Sequence, residues 1–327
     1  MKAIIVKKAG GAEELAFSEV PRPKPKSQEI LLRTCAFSLN HMDLLQRQGK
    51  YPPPPHASPI LDVDSAGVVE EVGSHVKRFK KGDRVMSLLS GGAYAEFAIA
   101  DEECTLPIPD NMTFEEAAAI PEVFLTAYHA LFFIGEIQPK QWVLIHSGAS
   151  GVGTAAIQLV KEMGARSIIT AGSLDKIEAC LELGASAGFN YQSGPFAPKV
   201  LEATEGHGVD LILDISGPTF FEQNLSCLSS GGCLIFMSML GGKFLEKVDL
   251  SLLFSKWATL AATTLRARPL EYRARLTEEF SRFALSRFYS KALRPKIFQI
   301  LSWKDIQEAH RLLESRKAIG KIILTID

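Results

Sequence analysis

The sequence predicts an α/β protein in two parts, a partly open β-barrel and a doubly wound parallel sheet. Three observations carry this reading. The first ~120 residues hold short β-like runs broken by turns and prolines. From about residue 122 onward, apolar strands alternate with amphipathic helices. One of those strands runs directly into a small-residue turn that opens a helix.

The β-like runs of the first part are 2–6, 29–36, 66–72, 84–88 and 93–99. Pro21, Pro23 and Pro25, and later Pro52 to Pro55, separate them as stiff connectors. The basic run Lys77-Arg78-Phe79-Lys80-Lys81 is followed by Gly82-Asp83 and a strand, so it reads as a solvated hairpin loop. In the second part, strands at 142–145, 167–171, 210–214 and 233–237 alternate with helices at 122–133, 154–164, 175–183 and 219–228. Continuously apolar strands between amphipathic helices imply a parallel sheet covered on both faces. Ligands of such sheets bind beyond the strand C-termini, at the topological switch. The tail, a helix at 303–313 and a strand at 319–326, is expected to return to the first domain. The expected division is 1–121 with 290–327, and 122–289.

Composition narrows the function classes. The 327 residues are 46% hydrophobic and 22% charged, an ordinary globular balance for about two domains. A net charge of −1 supplies no global field for nucleic acid or an anionic membrane, and no aromatic-basic stripe is present. No segment approaches the ~20 continuous apolar residues of a membrane span. The opening Met1-Lys2-Ala3-Ile4-Ile5-Val6 reads as a first strand rather than a signal segment, and the chain as a cytoplasmic protein. Cys35, Cys104, Cys180, Cys227 and Cys233 show no C-x-x-C spacing, which fits a reducing compartment and argues against disulfides or structural zinc. Cys233, inside an apolar run, reads as an inert core thiol.

The most informative stretch runs from Val143 to Thr154: Val-Leu-Ile-His-Ser-Gly-Ala-Ser-Gly-Val-Gly-Thr. A tight strand-to-helix turn aims unpaired N–H groups and the positive end of a helix at one point, which stabilises an anion. Glycines let a pyrophosphate approach the backbone. Gly148 and Gly153 fit G-x-G-x-x-G, and Ser150 occupies the middle glycine position. A serine-hydrolase elbow, G-x-S-x-G, would need glycine where Val152 stands, so that reading is set aside. An NAD-selective fold places a carboxylate at the tip of its second strand. Here the tip reads Ala171-Gly172-Ser173-Leu174-Asp175-Lys176, with no carboxylate at the strand end. A hydroxyl at Ser173 and a mobile cation at Lys176 suit a 2′-phosphate, so NADPH is the favoured cofactor. Asp175 is read as serving the helix dipole.

Ordered matches along nearly the whole chain then become specific. They include Leu39-Asn40-His41-Met42-Asp43, Gly49-Lys50-Tyr51-Pro52, Ala119-Ile120-Pro121-Glu122, Leu125-Thr126-Ala127-Tyr128, the turn above, Thr170-Ala171-Gly172-Ser173, Leu183-Gly184-Ala185 and Ile306-Gln307-Glu308-Ala309-His310. The chain resembles the zinc-free quinone oxidoreductases of the medium-chain dehydrogenase/reductase superfamily, most closely their p53-inducible subgroup. The resemblance implies a GroES-like catalytic domain, a Rossmann domain and a cleft between them. It implies that Ser150, Gly151 and Val152 meet the pyrophosphate, and that Ser173, Lys176 and Tyr191 hold the 2′-phosphate end. It places Met239, Leu240 and Gly241, and Thr263, Thr264 and Leu265, on the nicotinamide side. Asn40, Tyr51 and Thr126 would bound the quinone pocket. A homodimer is likewise implied, with the apolar strand 233–237 as a candidate pairing edge. Two departures stand out. The family's G-x-E-x-x-G segment reads Asp62-Val63-Asp64-Ser65-Ala66-Gly67, with Asp64 shortening the acid by one methylene, and His41 stands where Arg or Tyr is common.

A zinc alcohol dehydrogenase needs Cys and His ligands around a metal-bound alkoxide. At the positions the resemblance aligns with those ligands, this chain has Asn40, Val63 and Pro121–Glu122, so no metal site is expected. Quinones and enones are electron-poor and need less activation than an alcohol. The expected activity is NADPH-dependent reduction of a small-molecule quinone, with Tyr51 or Asn40 as donors to the developing oxyanion. Asn40 also reads as a helix cap and Tyr51 as a packing residue. An enone or alkenal reductase with Tyr51 as general acid, and a non-catalytic NADPH-binding protein, are the alternatives.

Overall fold

The structure, a computed structural model, describes residues 1–55 and 57–326. The chain divides into two compact units, Met1–Leu125 with Arg266–Asp327, and Thr126–Leu265.

The first unit opens with β1 (Lys2–Val6), β2 (Leu15–Glu19), β3 (Glu29–Ser38), β4 (Asp64–Val72), β5 (Arg84–Leu88), β6 (Phe97–Asp101) and β7 (Thr105–Pro107). The second contains β8 (Trp142–His146), β9 (Arg166–Ala171), β10 (Ala187–Asn190), β11 (Val209–Asp214), β12 (Leu228–Phe236) and β13 (Thr259–Ala262). The chain then returns to the first unit with β14 (Ile297–Ser302) and β15 (Lys321–Thr325).

In the first unit, the strands pair in the order β14-β15-β3-β4-β5-β7, with β6 also on β3 and β1-β2 as a separate hairpin. The long β3 is central because Ile30, Leu31, Leu32, Ala36 and Phe37 are all buried, on both faces of the strand. The tail does return, since β15 pairs antiparallel with β3, placing Ile323 against Ser38. Ile4, Leu15, Ile30, Phe37, Trp303 and Ile322 share one core. The basic run forms the connection of the β4–β5 hairpin, where Lys80 N–H donates to Asp83.

The longest element that went unforeseen is the helix Leu270–Tyr289; the sequence division put these residues in the second part, and they lie in the first unit. Its inward residues, Leu276, Phe280, Ala284 and Phe288, recur every fourth position amid arginines and glutamates. That leaves a stripe too narrow to stand out. Phe280 and Phe288 pack on Phe124, with ring centroids 6.4 and 5.1 Å apart.

A buried arginine ties this unit together. Arg47 donates to Gly10 O, to His310 Nδ1 at 3.0 Å and to the Glu314 carboxylate. Burial and Arg47 push His310 down to about 3, so its ring is neutral and its Nε2–H donates to Tyr94 Oη.

The second unit is a six-stranded parallel sheet in the order β10-β9-β8-β11-β12-β13. Counted from β8, that order is 3-2-1-4-5-6, the doubly wound arrangement of dinucleotide-binding sheets. Leu144, Ile168, Val200, Ile212, Leu225 and Leu234 form its core. The candidate pairing edge is corrected by this order. β12 lies between β11 and β13, so Cys233–Phe236 is already paired on both sides and β13 is the outer strand.

Candidate active site

In the second unit, every residue expected to hold the coenzyme follows the carboxyl end of a parallel strand. Ser150–Val152 follow β8, Ser173 and Lys176 follow β9, Tyr191 follows β10, Met239–Gly241 follow β12 and Thr263–Leu265 follow β13. The sheet geometry makes this one edge. Its switch point lies between β8 and β11, where the connections diverge.

The β8 turn is built as the sequence suggested. Ser150 is the N-cap of the helix Gly151–Glu162, its Oγ accepting from Gly153 N–H at 3.1 Å. Gly151 and Val152 lie in the first turn, where N–H groups lack intrahelical acceptors. A Cβ at Gly153 would come within 2.5 Å of two backbone carbonyls, Ser147 O and Gly148 O, so only glycine permits this turn.

At the tip of β9, the β10 register sets Asn190 beside Ala171. Tyr191 therefore lies against Gly172, and a Cβ there would meet the tyrosine hydroxyl at 2.9 Å. Ser173 is the N-cap residue of the helix Leu174–Glu182, and Lys176 lies half-buried in its first turn. A hydrogen bond from Ser173 holds the exposed Asp175 carboxyl below its usual range. The Met239–Gly241 loop is pinned to the segment after β11, with Leu240 N–H donating to Ile215 O and Gly241 N–H to Ser216 O. Thr263 shares a hydrogen bond of 3.2 Å with His129 Nδ1; Thr264 is exposed and Leu265 buried.

Beneath this edge lies a buried polar chain that the sequence hinted at only through His146. His146 Nε2 pairs with Asn224 Oδ1 at 2.7 Å, and Asn224 Nδ2 donates to Asp214. Burial lowers the His146 pKa. The neutral ring donates from Nε2 and accepts from the Thr170 hydroxyl at Nδ1. The Asp214 carboxylate accepts the N–H groups of Ser216 and Gly217, which shapes the loop beyond β11.

In the first unit, a cluster of buried charges surrounds Asn40. Its Nδ2 donates to Asp62 at 3.0 Å and Asp64 at 2.9 Å, while its Oδ1 accepts from Lys321 Nζ at 2.5 Å. Asn40 is also the N-cap residue of the helix His41–Arg47, where the Asp43 carboxylate accepts the Asn40 N–H. Asp64 further accepts from Ser38 Oγ, Lys321 and the Glu122 N–H. Asp43, Asp62 and Asp64 are all fully buried. Desolvation, and then the neighbouring carboxyls, hold Asp62 well above the usual carboxylate range. Burial also raises Asp43, to about 7.

Tyr51 sits beside a residue that no motif announced. The guanidinium of Arg266 lies 5.8 Å from the Tyr51 ring centre. Asn40 and Tyr51 thus fall in the first unit, whereas Thr126, half-buried in the helix Pro121–Tyr128, begins the second. Arg266, Asp62 and Lys321 are the charged residues that the sequence reading missed. Each is a single residue on a different segment; the departure singled out beforehand in the G-x-E-x-x-G segment was Asp64, the neighbour of Asp62 in this cluster.

The donor set does not suit zinc. Both amide hydrogens and the carbonyl of Asn40 are taken, Val63 offers no side-chain donor, and Lys321 already supplies a positive charge. Among the described residues, no group of three or more His, Cys, Asp or Glu side chains is arranged to hold a metal.

Comparison with known proteins agrees with this architecture. Residues 26–110 match the alcohol dehydrogenase GroES-like domain family, and residues 151–282 match the zinc-binding dehydrogenase family. Quinone oxidoreductase 1 of Escherichia coli is 34% identical, over 97% of both chains. The quinone oxidoreductase of Sus scrofa is 32% identical, over 100% of this chain and 98% of its own. A crystal structure of E. coli quinone oxidoreductase complexed with NADPH superposes with a TM-score of 0.87 at 30% identity, covering 99% and 100% of the two chains. The structure of CurK enoyl reductase gives a TM-score of 0.88 at 25% identity, covering 100% and 99%. The chain belongs to the quinone oxidoreductase family of medium-chain dehydrogenases/reductases, with a GroES-like and a Rossmann domain.

Proposed function

We propose that this oxidoreductase reduces quinones with NADPH and without zinc. The observation that carries the reading is the carboxyl edge of the β10-β9-β8-β11-β12-β13 sheet, which gathers a glycine-lined helix N-terminus and the Ser173, Lys176 and Tyr191 tip. The first suits a pyrophosphate. The second offers hydroxyls and a cation, without a strand-end carboxylate, to a 2′-phosphate. Met239–Gly241 and Thr263–Leu265 border the nicotinamide. When bound, NADPH supplies a hydride; the protein orients the reactants and excludes water.

On the first unit, Asn40 acts as a positioning residue, since its amide is fully engaged with Asp62, Asp64 and Lys321. Tyr51 keeps its role as a donor at the quinone pocket, and Thr126 its role as a boundary of that pocket. The enoyl reductase among the structural neighbours favours a second reading, reduction of enones with Tyr51 as proton donor. The test is a comparison of 9,10-phenanthrenequinone with an α,β-unsaturated ketone at equal concentration. A higher kcat/KM for the quinone, unaffected by chelator, supports the first reading; a preference for the ketone replaces it with the second.

The same sheet supports a homodimer reading. β13 ends the sheet, and Phe254 and Trp257, just before it, are 87% and 72% exposed. Such an unprotected edge invites pairing across a two-fold axis. A light-scattering mass of one subunit would refute it.

A further inference from the structure

Arg266 is a buried guanidinium with one donor left over. It is 9% exposed. Nε donates to Ser90 O at 2.9 Å and Nη1 to Gln46 Oε1 at 2.8 Å, so two neutral acceptors fix the plane of the group. Among the described residues, Nη2 has no hydrogen-bond partner. Gly91 lies beside it, and a Cβ there would stand 3.1 Å from Nη2, so the glycine keeps that space open.

Among the described residues, no carboxylate pairs with this charge. The titratable groups that feel it are Tyr51, Asp43 and Asp62. Asp62 is the residue that departs from the family's glycine, and it is held at a φ of +67°, in the left-handed region. Its Oδ1 accepts from Asn40 Nδ2, Val63 N–H and Asp64 N–H, whereas its Oδ2 is buried without a partner. Three donors on one oxygen and none on the other suit a neutral carboxyl carrying its proton on Oδ2. A buried, unpaired guanidinium next to an uncharged acid leaves its charge available to a ligand. In a dry environment such a donor favours negative charge far more than it would in water.

We propose that Arg266 is a catalytic residue whose Nη2 hydrogen-bonds the substrate oxygen on which negative charge gathers during reduction, a carbonyl oxygen of a quinone or enone. This rests on the redox reading above. Hydride transfer adds two electrons to the substrate and oxidises the coenzyme; the oxygen left negative then takes a proton, from Tyr51 where that donor acts and otherwise from solvent as the product leaves. Arg266 lowers the energy of that charged stage. Gln46 acts as a positioning residue by fixing Nη1.

The test uses the full chain and 4-nitrophenolate, a phenolate that is neither a quinone nor an enone and whose absorbance reports binding. Arg266→Gln is expected to weaken phenolate binding at least about tenfold and to lower kcat with 9,10-phenanthrenequinone on the order of 100-fold. The KM for NADPH should stay within about twofold. Arg266→Lys, which keeps the charge but loses the fork, should recover part of both losses. Gln46→Leu retains the charge, loosens its aim and should lower phenolate affinity several-fold, which keeps the test open if Arg266→Gln misfolds. Phenolate binding that is absent in wild type, or unchanged in these variants, overturns the proposal. Arg266-dependent phenolate binding in a protein that turns over neither quinone nor enone would uphold the oxygen site and discard the redox reading.

Discussion

The two units organise polar groups in opposite ways. In Thr126–Leu265 the candidate coenzyme edge is largely backbone: a capped helix start, glycines that admit close approach, and loops pinned by main-chain hydrogen bonds. In the first unit the candidate substrate side is made of side chains. Ser38, Asn40 and Asp43, Asp62 and Asp64, Arg266, and Lys321 come from four separated segments and meet in the interior. Backbone sites tolerate side-chain exchange wherever no Cβ is forbidden. Interior charge clusters are balanced sets, in which removing one member exposes the others.

The sharpest test of this contrast is Lys321→Met. Lys321 bonds Leu39 O, Asn40 Oδ1 and Asp64, so its loss leaves a buried carboxylate without its ammonium. Thermal or urea unfolding should show a loss of about 3–5 kcal/mol. A change near zero would mean that the cluster is not balanced by this lysine.

Gly153→Ala probes the other side. The added Cβ would overlap two carbonyl oxygens, costing about 1–3 kcal/mol by overpacking, and should weaken NADPH binding more than tenfold in a fluorescence titration. Wild-type affinity would contradict the backbone account of the turn.

The pH response of Asp62 should be smaller and directional. Its folded pKa lies well above that of an ordinary carboxyl because of burial, so its favourable contribution is present at low pH and is lost as pH rises through the folded value. Asp62→Asn does not titrate and tolerates the left-handed backbone. Relative to wild type, it should therefore be more stable at pH about 8 than at pH about 5, by a few degrees in Tm. The reverse order would show that Asp62 is ionised in the folded protein.

The smallest effect is expected at the exposed Asp175. Asp175→Asn removes a negative charge beside Ser173 and Lys176 and should raise the NADPH-over-NADH preference about twofold to fivefold in kcat/KM. An unchanged ratio would place the 2′-phosphate elsewhere.

The backbone side of this comparison was the legible one. β8, β9, β11 and the core of β12 are interior strands buried on both faces, and their continuous apolar runs stand out. The strands that went unread, β10 and β13, are the two edges of that sheet; they are short, and neither contains a buried residue. The turn at Ser150 and the Ser173–Lys176 tip were legible because their residues are local in sequence. The cluster around Asn40 was not, because Asp64 and Lys321 are separated by 257 positions and only the sheet β15-β3-β4 brings them together.

Steady-state oxidation of NADPH and of NADH with 9,10-phenanthrenequinone, each with and without a chelator, decides whether the enzyme is a zinc-free, NADPH-dependent quinone reductase. Turnover that favours NADPH in kcat/KM by at least about tenfold, and is insensitive to chelator, is the predicted result. A preference for NADH, or activity abolished by chelation, would contradict it.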